Sequence, residues 1–429
     1  MNTAAAIPGD ARHAVLDALG KILRRNLALD EALHVNGLEE RDRGFARLLL
    51  ATTLRRLGQI DALIAHCLEH PLPVKAVTVQ DILRLGTAQL LFLDVAAHAA
   101  VDTAVRLAKD AGQTAHVKLV NAVLRRLGRE GPALSAAQDA ARLNTPAWLW
   151  ESWTAAYGEP SCRAIAIAHL TEAPLDISVS RDPESWAERL DAAILPTGTL
   201  RRPAGGAIAH LPGYDEGDWW VQDAAAALPA RLLGDVRGKR IADLCAAPGG
   251  KTAQLAAAGA HVTALDRSAK RLERLQANLA RLRLAADVET TDATSWRPDT
   301  PVDGVLLDAP CSATGTLRRH PDASWLKRPE DVAKLTATQS RLLAAAVEMV
   351  APGGLIVYCT CSLQPEEGID QVEALLAGGA PLRRRPITPS EVGGLVELIT
   401  PAGDLRSLPC HLGEKGGMDG FFAARLERL

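Results

Sequence analysis

Val305-Leu-Leu-Asp308-Ala-Pro-Cys-Ser-Ala-Thr-Gly315 is the stretch whose reading decides the fold. The apolar run Val305, Leu306 and Leu307 reads as a strand buried on both faces, the kind that a parallel sheet contains. Asp308 then falls at the carboxyl end of that strand, where open α/β sheets bind their ligands. Pro310 halts the strand and leaves Cys311 on the loop above the sheet. Fifty residues further on, the run Leu355-Ile-Val-Tyr358 precedes Cys359-Thr-Cys-Ser362, so Cys361 also lies just past a strand end. Two cysteines at one rim of one sheet are a candidate pair of reactive groups.

Around this stretch the rhythm from Arg240 onward is strand, loop, helix. Strands are predicted at Ile241-Leu244, Val262-Leu265, Val288-Thr290, Val305-Leu307 and Leu355-Tyr358, with helices at Thr252-Ala258, Ala269-Leu282 and Lys334-Val350. Such alternation predicts a doubly wound parallel sheet, an α/β Rossmann-like domain over residues 221–429. Gly420-Phe-Phe-Ala-Ala-Arg-Leu426 is expected to supply a last, antiparallel edge strand.

The N-terminal part differs. Val15, Leu16, Leu19, Ile22 and Leu23 recur at period 3.6 behind Asp10, a candidate N-cap. Gly44 to Leu57, Ile60 to Cys67, Gln80 to Leu91, Val101 to Ala108 and Leu119 to Leu127 repeat that pattern, which predicts an all-α bundle over residues 1–135. Gly131-Pro132 reads as its boundary. Between bundle and sheet, Leu175-Asp-Ile-Ser-Val-Ser180 switches to period two amid helical and Gly/Pro-punctuated segments, so residues 136–220 read as a small α+β linker domain. The chain is thus multidomain, as 429 residues would suggest.

A formal charge of -3 and a pI near 6.4 announce no polyanion partner, although a local basic face could bind one. Arg24-Arg25, Arg55-Arg56 and Arg125-Arg126 punctuate the helices and read individually as solvated faces. No apolar run reaches the roughly 20 residues of a membrane span. The N-terminus lacks signal-peptide character, so a cytoplasmic address is expected. Seven cysteines without zinc spacing read as thiols, with no structural metal. A monomer is expected, since no segment shows a long exposed apolar face.

After the first strand comes Cys245-Ala-Ala-Pro-Gly-Gly-Lys-Thr252. A triphosphate loop would need glycine where Cys245 stands, and Gly-x-Gly-x-x-Gly is also missing. What remains is a small-residue turn that lets a ligand approach backbone N–H groups at a helix start. Asp266 ends the second strand, at the place where an acidic side chain takes ribose hydroxyls, and Asp292 follows the third. A lone Asp after a strand is usually a cap or turn residue. Three at successive strand ends on the same rim point to a ligand. Cys67, Cys162 and Cys410 read as small buried hydrophobes and Cys359 as packing within its strand; Cys311 and Cys361 read as reactive by their place.

These residues resemble the cytosine-C5 RNA methyltransferases of the Nol/Nop/Sun family. The resemblance runs through Val221-Gln-Asp223, Asp243-Leu-Cys-Ala-Ala-Pro-Gly-Gly-Lys-Thr252, Asp308-Ala-Pro-Cys-Ser-Ala-Thr-Gly315, Arg318-Arg-His-Pro-Asp322 and Tyr358-Cys-Thr-Cys-Ser362. Gly86-Thr-Ala-Gln-Leu90, Ala97-His-Ala-Ala-Val101 and Leu119-Val-Asn-Ala-Val-Leu-Arg125 are similar to a NusB-type RNA-binding domain. Where the family usually shows Arg-x-Asn, this chain reads Ser178-Val-Ser180. The resemblance implies a class I methyltransferase domain, S-adenosyl-L-methionine as methyl donor and a cytosine of 16S rRNA as substrate.

It further implies Cys361 as the nucleophile that adds to cytosine C6, Cys311 as the thiol that assists release, and Asp308 as the partner of the cytosine ring near N3 or N4. For the cofactor it implies the loop Cys245, Ala246, Ala247, Pro248, Gly249, Gly250 and Lys251, with Asp266 at ribose, Asp292 beside adenine and Asp308 near the methionine end. Arg318, Arg319, His320, Lys327 and Arg328, beside Trp325, form a basic loop expected to clamp an RNA backbone. A DNA cytosine-C5 methyltransferase would use the Pro-Cys thiol as its nucleophile, and Thr360-Cys361 speaks against that. A non-catalytic RNA-binding assembly factor is the reading from another class, against which Cys361 and Asp308 are both present.

Overall fold

The computed structural model describes residues 11–429; Asp10, read above as an N-cap, lies outside them. Two compact units form. One comprises the described residues up to Thr171 together with Leu317–Lys327, the other Glu172–Thr316 with Arg328–Leu429.

The first unit is helical, with Ala11–Arg25, Glu40–Arg55, Leu57–Cys67, Val77–Leu91, Ala97–Asp110 and Val117–Ala136 followed by Ala147–Tyr157 and Glu159–His169. Each helix turns its apolar stripe inward, as Val15, Leu19 and Ile22 do in the first. Pro132 does not end the bundle: it sits inside Val117–Ala136. The neighbouring Gly131 serves close packing instead of a turn, since a Cβ there would lie 2.9 Å from Leu91 Cδ2. That contact with Val77–Leu91 holds the helix past the missing proline N–H.

Leu317–Lys327 is folded into this unit, so Arg318, expected to serve in a basic loop that clamps an RNA backbone, is instead buried. Arg318 is 1% exposed. The Trp325 indole N–H donates to Leu54 O at 2.8 Å, Leu29 N donates to Asp322 Oδ2 at 2.9 Å, and Arg55 Nη2 donates to Arg318 O at 2.9 Å. Apolar burial of Trp325 and Leu326 against the bundle outweighs solvation of the intervening charges. His320 remains exposed.

In the second unit, a four-stranded antiparallel sheet is built from β1 (Leu175–Val179), β2 (Ala193–Ile194), β3 (Leu200–Arg202) and β4 (Trp219–Val221), in the order β2-β3-β1-β4. Arg201 clamps Asp176 across it through two bonds of 2.7 Å. The segment read as a linker therefore contributes helices to one unit and this sheet to the other.

The main sheet comprises β5 (Arg240–Leu244), β6 (His261–Asp266), β7 (Asp287–Thr290), β8 (Val302–Asp308), β9 (Val350–Thr360), β10 (Leu382–Arg384), β11 (Leu405–Ser407) and β12 (Phe421–Arg428). Its order is β10-β12-β9-β8-β5-β6-β7, with β11 also pairing with β12. Strands β5 to β9 are parallel, and β12 runs antiparallel to β9. The terminal strand is thus antiparallel as expected but not an edge. Its residues Phe421 to Leu426 are buried, which demands partners on both sides. Chain order reverses at β5, between β6 and β8, and so opens a crevice above the carboxyl ends of β5 and β8. No helix among the described residues is long and apolar enough to cross a membrane.

Candidate active site

Every side chain singled out on the rim descends from strand register. Asp308 pairs with Cys359 across β8 and β9, and Ala309 N donates to Cys359 O at 3.0 Å. The chain then leaves the sheet over Pro310 and returns, with Gly315 N donating to Cys361 O at 2.9 Å and Gly420 N to Gly315 O at 2.8 Å. Between these anchors Cys311 is carried over the end of β9. Its Sγ lies 3.4 Å from Cys361 Sγ, and both thiols are half-buried.

Asp308 is held from two sides. Lys251 Nζ lies 2.7 Å from Oδ2, and the Cys359 thiol lies 3.7 Å from Oδ1. The Lys251 ammonium also stands 4.8 Å from the Phe421 ring centroid. Burial alone would push the Lys251 pKa down, but the Asp308 carboxylate more than offsets it and the value rises. Lys251 is therefore charged at neutral pH. Cys359, read from the sequence as packing, is fully buried; burial first and Asp308 second push its thiol well up. Cys311 is also pushed well up, first by its hydrogen bond with Cys361, then by burial, with the Cys361 and Glu367 charges adding. Cys67 and Cys162 are buried, whereas Cys410 is only half-buried.

The loop Cys245 to Lys251 turns through left-handed backbone at Cys245 (φ 63°) and Gly249 (φ 102°) into helix Gly250–Ala257. A Cβ on Gly249 would meet Leu275 Cγ at 2.8 Å, so only glycine fits there. Asp266 accepts from Ser268 N at 2.9 Å and from Ala247 N at 3.3 Å, fixing loop to strand end. Asp292 accepts from Thr294 N at 2.9 Å and Thr294 Oγ1 at 2.7 Å, and these bonds pull its pKa down. Cys245, Asp266, Asp292, Thr338 and Leu342 line one cleft. Asp243, beneath the loop, accepts from Thr252 Oγ1 at 2.6 Å, and burial pushes it up to about 7.

One cluster had no counterpart in the sequence reading. Glu367 is fully buried and accepts from Ser312 N (2.9 Å), from the Ser312 hydroxyl and from Gln339 Nε2 (3.1 Å). Ser362 Oγ lies 3.1 Å from Ser312 Oγ and 3.3 Å from Thr314 Oγ1. The available signal was Pro365-Glu-Glu367 soon after Cys361, which reads like any acidic first turn. Val221-Gln-Asp223 acts as a brace: Gln222 Nε2 donates to Gln254 Oε1 (3.1 Å), and Asp223 Oδ1 accepts from Asp419 N (3.1 Å). Among the described residues, no group of three or more His, Cys, Asp or Glu side chains could hold a metal ion.

Comparison with known proteins gives two family matches: 16S rRNA methyltransferase RsmB/F over residues 230–427 and the NusB family over residues 9–129. The ribosomal RNA small subunit methyltransferase B of Pseudomonas putida is 36% identical, over 97% of this chain and 98% of that protein. Its namesake from Cronobacter sakazakii is 34% identical, over 97% and 98%. Among solved structures, PH0851 matches with a TM-score of 0.76 over 99% of both chains at 22% identity. NSun6 from Pyrococcus horikoshii, solved with SFG, matches with a TM-score of 0.54 over 66% of this chain and 98% of that one, at 21% identity. At such identities the structures speak for the fold alone.

The residues fit S-adenosylmethionine, the cofactor of this family. The cleft has an apolar wall in Leu265, Ala293 and Leu342, with the carboxylates of Asp266 and Asp292 beside it, a setting for a flat base joined to a hydroxyl-bearing sugar. Lys251, the last residue of that loop, pairs with Asp308, three residues before Cys311. Bound there, the cofactor supplies an electrophilic methyl group on a sulfonium. The chain belongs to the RsmB/F family of S-adenosylmethionine-dependent 16S rRNA methyltransferases, with a NusB-family domain ahead of the catalytic one.

Proposed function

We propose that this chain methylates C5 of a cytosine in 16S rRNA through a covalent bond between Cys361 and C6 of the base. The observation that carries the reading is the 3.4 Å approach of Cys311 and Cys361 beside a lysine-paired carboxylate. Cytosine C5 is a weak nucleophile. Addition of the Cys361 thiolate to C6 breaks the C5–C6 π bond and leaves its electron pair at C5, the carbon that receives the methyl group. Asp308, fixed by Lys251, bonds the ring edge and stabilises the adduct.

After transfer the C5 proton passes to water, the C5–C6 double bond re-forms and the C6–S bond breaks. Cys361 leaves as the thiolate that attacked; Cys311 keeps its proton because its thiol is pushed up, and its S–H stabilises the departing sulfur as a hydrogen-bond donor. The target base reaches these thiols only when unpaired or turned out of a helix. Asp266 and Asp292 hold the ribose and adenine of the cofactor in this reading. Incubation of variants with unmethylated 16S rRNA and methyl-labelled cofactor tests it. Cys361→Ala should transfer no methyl, whereas Cys311→Ala should transfer one and remain joined to RNA on a denaturing gel. Full turnover by Cys361→Ala would sink the assignment.

A further inference from the structure

We propose that Glu367 is a positioning residue, its buried carboxylate holding the Cys311 loop so that this thiol stays aimed at Cys361 through product release; this rests on the release role given to Cys311 above. The acceptor set is specific. One oxygen takes Ser312 N, the amide directly after Cys311, at 2.9 Å and Gln339 Nε2 at 3.1 Å; the other takes the Ser312 hydroxyl. Gln339 also donates to Pro310 O at 2.9 Å, so the residues on both sides of Cys311 are tied to one hub.

Glu367 is itself fixed from the opposite direction. Its backbone carbonyl accepts from Tyr358 Oη (2.7 Å) and Thr360 Oγ1 (3.1 Å), both on β9, which Cys361 directly follows. The two sulfurs are therefore registered against each other through a single residue. A buried carboxylate is costly to retain for packing alone. Its charge also acts on the chemistry: Cys361 and burial raise the Cys311 thiol, and Glu367 raises it further. A glutamine in its place keeps size and one acceptor, removes the charge, and would turn an amide donor toward Ser312 or Gln339.

The test uses full-length Glu367→Gln, Cys311→Ala and the double variant with unmethylated 16S rRNA. Glu367→Gln should transfer methyl but accumulate at least tenfold more covalent protein-RNA adduct than the parent protein. Adding it to Cys311→Ala should change the adduct no further. In a Cys361→Ser background, the pH midpoint of Cys311 alkylation, followed by peptide mass spectrometry, should move down when Glu367→Gln is added, a shift that loop disorder alone does not demand. Parental release with an unmoved midpoint, while Cys311→Ala still traps RNA, overturns the role of Glu367. Failure of Cys311→Ala to trap RNA instead removes the release reading on which it rests. Should Glu367→Gln not fold, Ser312→Ala decides: raised adduct supports the hub, and parental release refutes it.

Discussion

At the scale of single residues the site turns on how a lysine can be buried near the thiols of Cys359 and Cys361 and remain charged. Lys251 does so because Asp308 lies 2.7 Å away, and the pair together replaces what water would supply to either ion. Removing one partner is then worse than never having had the pair. Lys251→Met keeps the apolar stem but removes the ammonium that stands over the Phe421 ring and strands the Asp308 carboxylate beside Cys359. The expected outcome is a loss of about 100-fold in single-turnover methyl transfer, the scale of deleting one preorganised electrostatic partner. Calorimetric titration with cofactor separates this from a binding defect, and a variant within threefold of the parent rate would show that the charge pair is not needed. Asp308, Cys311 and Cys361 were legible in the sequence because each follows an apolar strand run. Glu367 was not, because what distinguishes it is Ser312 meeting it across 55 positions of chain.

Among elements, the Pro310 to Gly315 loop shows why strand ends and not the strands carry the motif. Gly315 lies between Cys361 and Gly420, and a Cβ there would stand 2.0 Å from Gly420 O. No flexible side chain can yield at that contact, since backbone meets backbone. Gly315→Ala must therefore push β12 or the cysteine loop outward, costing about 1–3 kcal/mol, as overpacking commonly does. Thermal unfolding should show the lower midpoint, and the spacing of the sulfurs should widen, read as slower cross-linking of Cys311 to Cys361 by a short bis-alkylating reagent that loses a halide at each sulfur; unchanged rates would refute the coupling. The parallel strands were legible because burial on both faces writes itself as continuous apolar runs. The position of β12 inside the sheet was not, since an interior antiparallel strand and an edge strand can share the composition of Phe421 to Leu426. Pro132 misled for a similar reason: the glycine before it answers to Leu91, which lies far away in sequence.

For the whole molecule, the two units carry buried titratable groups with opposite acid behaviour. Asp243, in the α/β unit, is pushed up from 3.8 to about 7 by burial; its contribution favours the folded state below pH 3.8 and is lost as pH rises toward 7. His169 ends helix Glu159–His169 in the helical unit, 5.5 Å from the Trp153 ring, and is pushed from 6.5 down to about 3, first by burial and then by the charges of Arg318 and Arg55. It is neutral when folded, so its contribution is complete above pH 6.5 and is withdrawn as pH falls toward 3, while the unfolded chain takes up the proton. Between pH 6.5 and 5 this amounts to about 2 kcal/mol. One of the charges that add to burial, Arg318, arrives with the Leu317–Lys327 segment, so a stretch from the middle of the catalytic sequence adds to the acid response of His169. His169→Gln takes up no proton in either state. Unfolding followed by tryptophan fluorescence should therefore show the stability gap between parent and variant narrowing by that amount as pH falls from 7 to 5. A gap that stays constant across this range would mean that His169 is protonated in the folded unit, against its burial.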